Sequence, residues 1–532
     1  MSLSTYFSPQ YLALFLPIVI LLMAVLPQKG RRLTLLLSSY FLFWCFSGKL
    51  IIYLLVSTFS IHHFGLWLST LQKDTEIALK GLEKEEKKAL KARAQLKQRN
   101  VMIFAGALHI GVLVALKYTP FFTENINSLF SWMGISYQMA IPRFAIPMGI
   151  SFYTLQAMSY LFDVYRKTIS ADKNFMRLAM FMSFFPLIME GPIVRYTDTA
   201  DKLWNVERVR YNNFVYGAIR ILFGFAKKII VADRVNLFVK NVFEGYEKYD
   251  GFVIALAAIL YTIQLYMEFS GTMDLVMGSG QIFGIVLPEN FKRPFFSSSI
   301  SEFWKRWHIS LGAWFRDYMF YPISMSKPLK KLTMKSRKRL GNHFGPLLAG
   351  AVALLCVWLC NGFWHGAGWQ YIFFGLYHFI LILCGNAFEP YSEKALKKLH
   401  IDPNCKVYYG FRVFKTTLLV CIGELFFRAA TLSAGMGMFG KIFSDFSFAT
   451  LKSGAILKIG MDLHDFIIVA VFINVLFVIS LLQEKGIKLS EVYAKQHIVV
   501  RYAILYALIL SIIIFGAYGR GYVPVDPMYA EF

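Results

Sequence analysis

Two histidines lie in aromatic stretches where an ionisable side chain is unusual. His365 lies in NGFWHGAGW (361–369), with apolar runs on both sides, and His308 lies in SEFWKRWHISL (301–311). An ionisable residue inside an apolar span is costly and by default marks a functional site. A neutral histidine that is simply packed and hydrogen-bonded in the interior is the alternative interpretation.

The residues around His365 favour proton-transfer chemistry. Gly362, Gly366 and Gly368 remove side-chain bulk and let a substrate or another backbone approach closely, while Trp364 and Trp369 supply an apolar wall. A histidine without a neighbouring serine or cysteine nucleophile suits general base catalysis, in which the neutral imidazole accepts a proton from an attacking hydroxyl. The sequence contains no GxSxG elbow and no phosphate-binding GxxxxGK[ST] loop.

The composition indicates a polytopic helical membrane protein. Of 532 residues, 57% are hydrophobic and only 17% are charged, against roughly 25% charged residues in soluble domains. The net charge of +24 fits basic cytoplasmic loops better than nucleic-acid binding, because no basic, aromatic-rich soluble module is visible. The six cysteines form no CxxC pair and no metal-ligand spacing, so we expect neither a disulfide framework nor a metal site.

Apolar runs of about 20 residues predict membrane-spanning helices. The segment 181–196 is broken by prolines and glycine, which predicts a re-entrant or kinked element, and 300–323 predicts an interfacial helix. The predicted spans are 11–27, 33–47, 49–70, 101–117, 143–164, 212–232, 251–269, 271–287, 346–363, 367–385, 410–427, 464–483 and 499–518.

Basic segments predict the orientation. The residues 29–32, the long charged helix at about 71–100 and the basic loop at about 327–343 should be cytoplasmic, because lysine and arginine collect on that side. Both termini are then extracytoplasmic. We expect one membrane domain over 1–518, followed by a tail at 519–532.

Six sequence blocks follow one another in order along nearly the whole chain. They are IPMGISFYTLQAMSYLFDVYR (146–166), FFPLIMEGPIVRY (184–196), YTIQLYMEFSGTMD (261–274), LPENFKRPF (287–295), SEFWKRWHISLGAWFRDYMFYPI (301–323) and NGFWHGAGWQYIFFGLYH (361–378). Together these blocks resemble the membrane-bound O-acyltransferase family. Two further blocks, ELFFRAATLSAGMGMF (424–439) and YGRGYVPVDPMYAEF (518–532), fit its bacterial alginate and peptidoglycan O-acetyltransferase branch.

The resemblance implies a fold and a set of site residues. The fold would be an all-α ring of tilted and re-entrant helices around a central tunnel. His365 matches the catalytic histidine of the family, and His308 matches the second motif histidine, nearer the cytoplasmic entrance. Further candidates for lining the tunnel or binding substrate are Trp304, Lys305, Trp307, Asn361, Trp364, Trp369, Glu268 and Arg195.

Several candidates have two interpretations. Arg195 and Lys305 suit the phosphates of a donor, or they anchor the chain at the interface. Glu268 stands where the branch often has aspartate, and a helix-pairing carboxylate is favoured over an acid catalyst. His378 is followed by Phe379 where the family often has glycine, so a structural role is favoured.

The C-terminal residues Tyr529 and Phe532 resemble an acyl-relay motif of this branch. A phenol has an ordinary pKa near 10, so an acyl-tyrosine is a more activated ester than an alkyl ester, and thioester to phenyl ester to sugar ester would be a two-step covalent relay. Pro527 replaces the aromatic residue at the first position of the motif. The alternative is a tail that only packs on the outer face.

The resemblance implies an enzyme of a bacterial inner membrane that binds no cofactor. It would transfer an acetyl group from cytosolic acetyl-CoA, with a separate extracytoplasmic SGNH-type transferase completing O-acetylation of a cell-surface polysaccharide. One alternative is D-alanyl transfer from an acyl carrier protein to teichoic acid. A second is a transporter or channel, which would show paired intramembrane charges or inverted repeats, and neither is visible in the sequence.

Overall fold

The chain is built from helices and their connecting loops in the computed structural model, which describes residues 5–519 and 521–525. No β-strand occurs in those residues, so the predicted all-α class is confirmed. The helices in chain order are α1 (Leu16–Val25), α2 (Gln28–Ser47), α3 (Ile51–Ala78), α4 (Lys84–Trp132), α5 (Ile150–Tyr165), α6 (Phe175–Ser183), α7 (Tyr196–Trp204), α8 (Tyr211–Ala226), α9 (Asp233–Glu244), α10 (Gly251–Ile282), α11 (Ile300–Arg306), α12 (Ile309–Phe315), α13 (Tyr321–Ser324), α14 (Lys327–His365), α15 (Trp369–Lys398), α16 (Lys406–Arg428), α17 (Leu432–Ser444), α18 (Ala449–Lys452), α19 (Leu463–Glu484), α20 (Leu489–Lys495) and α21 (Ile498–Phe515).

Seven helical segments within the described residues are long and apolar enough to cross a membrane. Their number and length make this an all-α polytopic membrane protein. The arrangement of the helices as a ring around a tunnel remains a prediction. The seven segments are Gln28–Ala78, Lys84–Trp132, Gly251–Ile282, Lys327–His365, Trp369–Lys398, Leu463–Glu484 and Ile498–Phe515.

The chain divides into two compact units. The first contains the described chain up to Ala218 together with Val276–Pro288, and the second contains Ile219–Leu275 and the described chain from Glu289 onward. Helices α8 and α10 contribute residues to both units. This division does not decide the prediction of a single membrane domain.

In the first unit, the chain between α6 and α7 (184–195) is not helical, which confirms the predicted break. Side chains from elsewhere in the unit satisfy its backbone. Tyr6 Oη donates to the Phe185 carbonyl at 2.7 Å and accepts from the Met189 N–H at 3.2 Å, and Ser39 Oγ accepts from the Phe185 N–H at 3.0 Å. Such partners are required where irregular backbone is buried in a membrane protein.

A glycine joins the same irregular segment to α5. Gly149 precedes α5 with φ of +71°, and a Cβ atom there would lie 1.9 Å from the Ile188 carbonyl oxygen. Only glycine fits, because both the left-handed conformation and the close approach exclude a side chain. The IPMGISF sequence therefore fixes where α5 begins.

The charged segment at 71–100 is helical but not continuous. Helix α3 ends at Ala78 and α4 begins at Lys84, where Glu83 and Glu86 form a reciprocal capping box. This pairing satisfies free N–H groups at a helix start, so α4 begins anew and then continues through the predicted span at 101–117. The prediction of one uninterrupted connector helix is wrong.

The predicted spans 251–269 and 271–287 form one helix, α10, so the predicted separation is wrong. Gly271 lies inside it and packs so closely that a Cβ atom would be 2.8 Å from the Gly224 carbonyl oxygen. An isolated glycine is tolerated within a helix and often marks close packing. Here it marks the contact of α10 with α8 in the second unit.

Candidate active site

His308 forms the break between α11 and α12, so the prediction of one helix over 300–323 is wrong. Its backbone is left-handed, with φ of +46° and ψ of +51°. The Trp307 N–H donates to the Phe303 carbonyl at 2.8 Å at the end of α11, and the Gly312 N–H donates to the His308 carbonyl at 3.1 Å in α12. Histidine is among the few non-glycine residues enriched in this conformation. The residue that carries the imidazole therefore also makes the turn.

Asn290 holds the His308 turn in place. Its Oδ1 accepts from the Ser310 N–H at 3.0 Å, from Ser310 Oγ at 2.9 Å and from His308 Nδ1 at 3.4 Å. An amide oxygen can only accept, so Nδ1 of His308 carries the hydrogen and Nε2 carries the lone pair of the neutral ring. His308 is 3% exposed, and its Nε2 has no hydrogen-bond partner among the described residues.

His365 is the last residue of α14 and is 7% exposed. Three aromatic rings pack edge-to-face on its imidazole. Their centroids lie 4.9 Å away for Trp364, 5.1 Å for Phe427 and 6.0 Å for Phe374. This packing fixes the plane of the imidazole against an apolar wall.

The glycines beside His365 leave room for Tyr371 of α15 to pack against them. A Cβ atom on Gly362 would lie 2.5 Å from the Tyr371 carbonyl oxygen, and one on Gly366 would lie 2.3 Å from the Tyr371 ring. The glycines were expected to admit either a substrate or another part of the backbone. In the structure, the backbone carbonyl and the ring of Tyr371 in α15 approach them. The first turn of α15 therefore packs directly on the end of α14 that carries His365.

Trp364 brings the two motif histidines together. Its ring lies 5.5 Å from the His308 ring and 4.9 Å from the His365 ring, centroid to centroid. Phe269 of α10 packs on the other side of the cluster, 4.8 Å from the His308 ring. Two buried imidazoles thus flank one indole in an aromatic surround, which suits proton transfer at a site screened from water. We call His308, His365 and the rings on them the histidine cluster.

His378 lies in the same aromatic region but is held as a structural residue would be. It is 0% exposed, and its Nδ1 accepts from Trp304 Nε1 at 3.2 Å. Its ring also packs on Trp358 and Phe374, at centroid distances of 5.5 and 4.6 Å. The indole can only donate, so this bond fixes the tautomer of His378.

Glu268 belongs to a buried charged cluster. Its Oε2 lies 2.8 Å from Lys228 Nζ, and the same ammonium lies 2.9 Å from Asp233 Oδ1. Pairing of this kind is what permits charges in an apolar interior. The contact fits a helix-pairing carboxylate, since it joins α10 to the chain that leads into α9.

The remaining candidates are distributed over the molecule. Trp307 and Asn361 are buried, and Asn361 lies one turn before His365 in α14. Lys305 is exposed, and Trp369 is 55% exposed at the start of α15. Within the described residues, no group of three histidine, cysteine or acidic side chains could hold a metal ion.

Two candidates lie outside this site description. Arg195 immediately precedes α7 and belongs to the first unit, whereas both motif histidines belong to the second. Tyr529 lies outside the residues that the structure describes.

Sequence reasoning missed the residues that support the site. Asn290 lies in the LPENFKRPF block, but a lone asparagine two residues after a proline is typical of a turn. Lys228 and Asp233 lie five positions apart, and Lys228 belongs to a π-helix, Lys227–Ala232, that ends just before Asp233. Such π segments occur frequently at functional sites, but no local signal in the sequence predicts one here.

Known proteins resemble this chain over most of its length. The sequence model of MBOAT, the membrane-bound O-acyltransferase family, matches residues 37–336. The probable alginate O-acetylase AlgI of Azotobacter vinelandii is 30% identical over 467 residues, which cover 87% of this chain and 83% of that protein. The peptidoglycan O-acetyltransferase of Helicobacter pylori is 27% identical over 460 residues, 81% of this chain and 78% of that protein. The teichoic acid D-alanyltransferase of Bacillus subtilis is 33% identical over 253 residues, 46% of this chain and 60% of that protein.

Proposed function

Because the chain belongs to the membrane-bound O-acyltransferase family and is an O-acyltransferase, we propose that it transfers acetyl groups across the membrane. The donor is cytosolic acetyl-CoA and the final acceptor is a hydroxyl of an extracytoplasmic cell-surface polysaccharide. The observation that carries this proposal is the histidine cluster, in which His308 and His365 flank Trp364 at 5.5 and 4.9 Å. The names of the relatives that match over most of the chain, alginate O-acetylase and peptidoglycan O-acetyltransferase, support an acetyl group and a glycan acceptor.

His365 acts as the general base. Its neutral imidazole accepts the proton of an attacking hydroxyl while that oxygen bonds to the thioester carbonyl carbon. The carbon–sulfur bond then breaks, and the thiolate takes the proton from the imidazolium, so that coenzyme A leaves as a free thiol. A thioester is reactive enough for this step to proceed without a bound cofactor, since a thiolate is a good leaving group.

We assign His308 to the donor side of the same site. Its Nε2, which has no hydrogen-bond partner among the described residues, is available to the incoming thioester or to its leaving group. Asn290 keeps Nδ1 protonated and Nε2 free for that contact. Asn361, one turn before His365, lines the same end of α14.

Tyr529 is the first acceptor in this proposal. Its phenol oxygen takes the acetyl group from the thioester, and an incoming hydroxyl then displaces the phenol to form the final ester. A separate extracytoplasmic transferase of the SGNH type completes the transfer. The protein lies in the inner membrane of a bacterium, with the basic segment at 327–343 in the cytoplasm and both termini outside.

D-alanyl transfer is the second candidate. The teichoic acid D-alanyltransferase of Bacillus subtilis shares 33% identity, but over only 46% of this chain. The alginate O-acetylase of Azotobacter vinelandii matches over 87%. The wider match favours the acetyl donor.

The test uses purified full-length protein with acetyl-CoA that carries a radioactive acetyl group. Label on the protein is compared between wild type, His365→Ala and Tyr529→Phe. We expect label on wild type and on neither variant. Label that disappears only with His365→Ala would leave the acyltransferase and remove the tyrosine relay. A second assay supplies a carrier protein that bears a radioactive D-alanyl group. If the protein took label from that carrier and never from acetyl-CoA, D-alanyl transfer would replace acetyl transfer.

A further inference from the structure

The last described residue of the chain is held inside the buried charged cluster. The Val525 N–H donates to Asp233 Oδ1 at 2.7 Å, and Lys228 Nζ donates to the Val525 carbonyl at 2.7 Å. Lys228 and Asp233 are themselves ion-paired at 2.9 Å, with side chains only 5% and 6% exposed. A single charge pair therefore holds both backbone polar groups of one tail residue.

A second side chain holds the tail two residues earlier. Asn236 Nδ2 donates to the Val523 carbonyl at 3.0 Å, and Asn236 Oδ1 accepts from Gln264 Nε2 at 2.8 Å. Asn236 is buried and lies in α9, on the same helix as Asp233. The contact from Gln264 of α10 fixes the amide so that its N–H₂ group faces the tail.

A third contact holds the start of the tail. Arg234 donates to the Phe515 carbonyl at 2.6 Å and to Tyr522 Oη at 3.1 Å, and it pairs with Asp465. Tyr522 Oη in turn donates to Asp465 Oδ1 at 3.0 Å. The four tail residues 522–525 are thus all bound by side chains of one short stretch, 228–236.

Helix α10 links the buried charged cluster to the histidine cluster. Glu268 pairs with Lys228 at 2.8 Å, and the next residue, Phe269, packs on the His308 ring at 4.8 Å. Tyr529 lies four positions after Val525, and four residues of extended chain reach at most about 14 Å. A tail held at Val525 therefore limits the distance of the Tyr529 backbone from Val525 to that reach.

We propose that Lys228, Asp233 and Asn236 form a backbone clamp that positions the C-terminal tail for acyl transfer. Recognition is through the main chain at Val523 and Val525, so the clamp fixes where the tail lies and leaves its side chains free to carry function. The clamp is a positioning device and takes no part in bond making. Its role in transfer rests on the proposed function, in which the tail tyrosine accepts the acetyl group.

The first test compares two lysine variants of the full-length protein. Lys228→Met removes the ammonium that holds Val525, and Lys240→Met removes a lysine from the exposed Lys240–Glu244 pair on α9, the helix that follows Lys228. Hydrogen exchange is followed by mass spectrometry in the peptic peptide that contains the Val525 amide. We expect exchange about tenfold faster in Lys228→Met than in Lys240→Met, because a released amide loses its protection.

The second test leaves the folded interior unchanged and alters only the tail. Val525→Pro removes the N–H that donates a hydrogen bond to Asp233, whereas Val525→Ala keeps both the N–H and the carbonyl that the clamp binds. Acetyl label transferred from acetyl-CoA to the protein should fall about tenfold or more in Val525→Pro, since misplacement of a reacting group by an ångström costs that much or more. Val525→Ala should retain several times more transfer than Val525→Pro.

Each outcome decides the proposal. Faster exchange in Lys228→Met together with low transfer in Val525→Pro supports the clamp and its role. Equal exchange in Lys228→Met and Lys240→Met would overturn the clamp. Faster exchange with equal transfer in Val525→Pro and Val525→Ala would overturn its role in positioning. If wild type transferred no acetyl label, the proposed function would fail, while the exchange comparison on the same samples would still decide whether the clamp exists.

Discussion

Two clusters in the second unit bury polar side chains in an apolar interior, and they do so in different ways. In the histidine cluster, neutral imidazoles are enclosed by rings, with Trp364 between His308 and His365. In the tail clamp, Lys228 pairs with Asp233 and Glu268 at 2.9 and 2.8 Å. One cluster contains imidazoles among aromatic rings, and the other contains an ammonium between two carboxylates.

This difference between the two clusters suggests different roles, proton transfer for one and positioning of the chain for the other. A neutral imidazole packed on rings can take up a proton and return it near physiological pH. In the clamp, the Lys228 ammonium is held by two carboxylates and itself holds the Val525 carbonyl, so these groups fix the geometry of the chain around them. The histidine cluster is therefore suited to the reaction, and the clamp is suited to holding the chain that takes part in it. Variants in the two clusters should fail in different ways.

The largest effect is expected from His365→Ala. Loss of a general base lowers a rate by about 10²–10⁴-fold, and we expect the acetyl transfer rate to fall by about that much. The matched control is His109→Asn, which replaces a buried histidine of α4 that bonds to Ser57 and Ser60. Steady-state transfer in the same detergent gives both rates. Equal losses in the two variants would mean that any buried histidine matters equally, which contradicts the assignment.

The next largest effect is expected on thermal stability, in a variant of the clamp residue Lys228. Lys228→Met leaves two carboxylates buried without their ammonium, which costs about 3–5 kcal/mol. Lys240→Met breaks a surface pair whose lysine is 46% exposed, worth about 1 kcal/mol or less. Thermal unfolding in detergent, followed by tryptophan fluorescence, should show a much lower Tm for Lys228→Met. A Tm drop in His365→Ala as large as that in Lys228→Met would erase the contrast between the clusters.

A smaller effect on rate is expected from Asn290→Ala. This variant removes the oxygen that accepts from Ser310 and His308, so the His308 ring loses its fixed tautomer and position. We expect kcat to fall by about tenfold, with less change in KM. Asn290→Asp keeps the acceptor and should retain more of kcat than Asn290→Ala. An unchanged kcat in Asn290→Ala would show that the orientation of His308 does not matter to the reaction.

The smallest effect on rate is expected from His378→Leu. Trp304 Nε1 then loses the acceptor that now lies at 3.2 Å, and leaving a buried donor unpaired costs about 1–3 kcal/mol. The transfer rate should stay within a factor of about three of wild type, since His378 acts on packing and not on the reacting atoms. Thermal unfolding and transfer are measured on one preparation. A rate as low as that of His365→Ala would place His378 in the catalytic machinery.

The sequence could predict the helices and the histidines, because both depend on local pattern. Apolar runs and broken motifs gave the all-α class and the irregular segment between α6 and α7. It could not predict the break at His308, since WKRWHISL has the composition of a continuous amphipathic helix. The left-handed turn is stabilised by Asn290, 18 positions away.

The clamp could not be predicted from the sequence either, because it also depends on contacts between residues far apart in the chain. Lys228 and Asp233 read as an ordinary charged stretch after a span, and Val525 as part of a terminal tail. Their contact joins residues 297 and 292 positions apart. Only the folded chain brings the tail to this pair, and only the pairing explains why the charges are tolerated in an apolar interior.

The most direct test of the account is the sidedness of the reaction in proteoliposomes. Acetyl-CoA with a radioactive acetyl group is supplied on one side, and orientation is established by protease cleavage within the basic segment 327–343. We predict that free coenzyme A thiol is released on the side of that segment, and that acetyl label on the tail is removed only by protease on the opposite side. Thiol and acetylated tail on the same side would contradict acetyl transfer across the membrane.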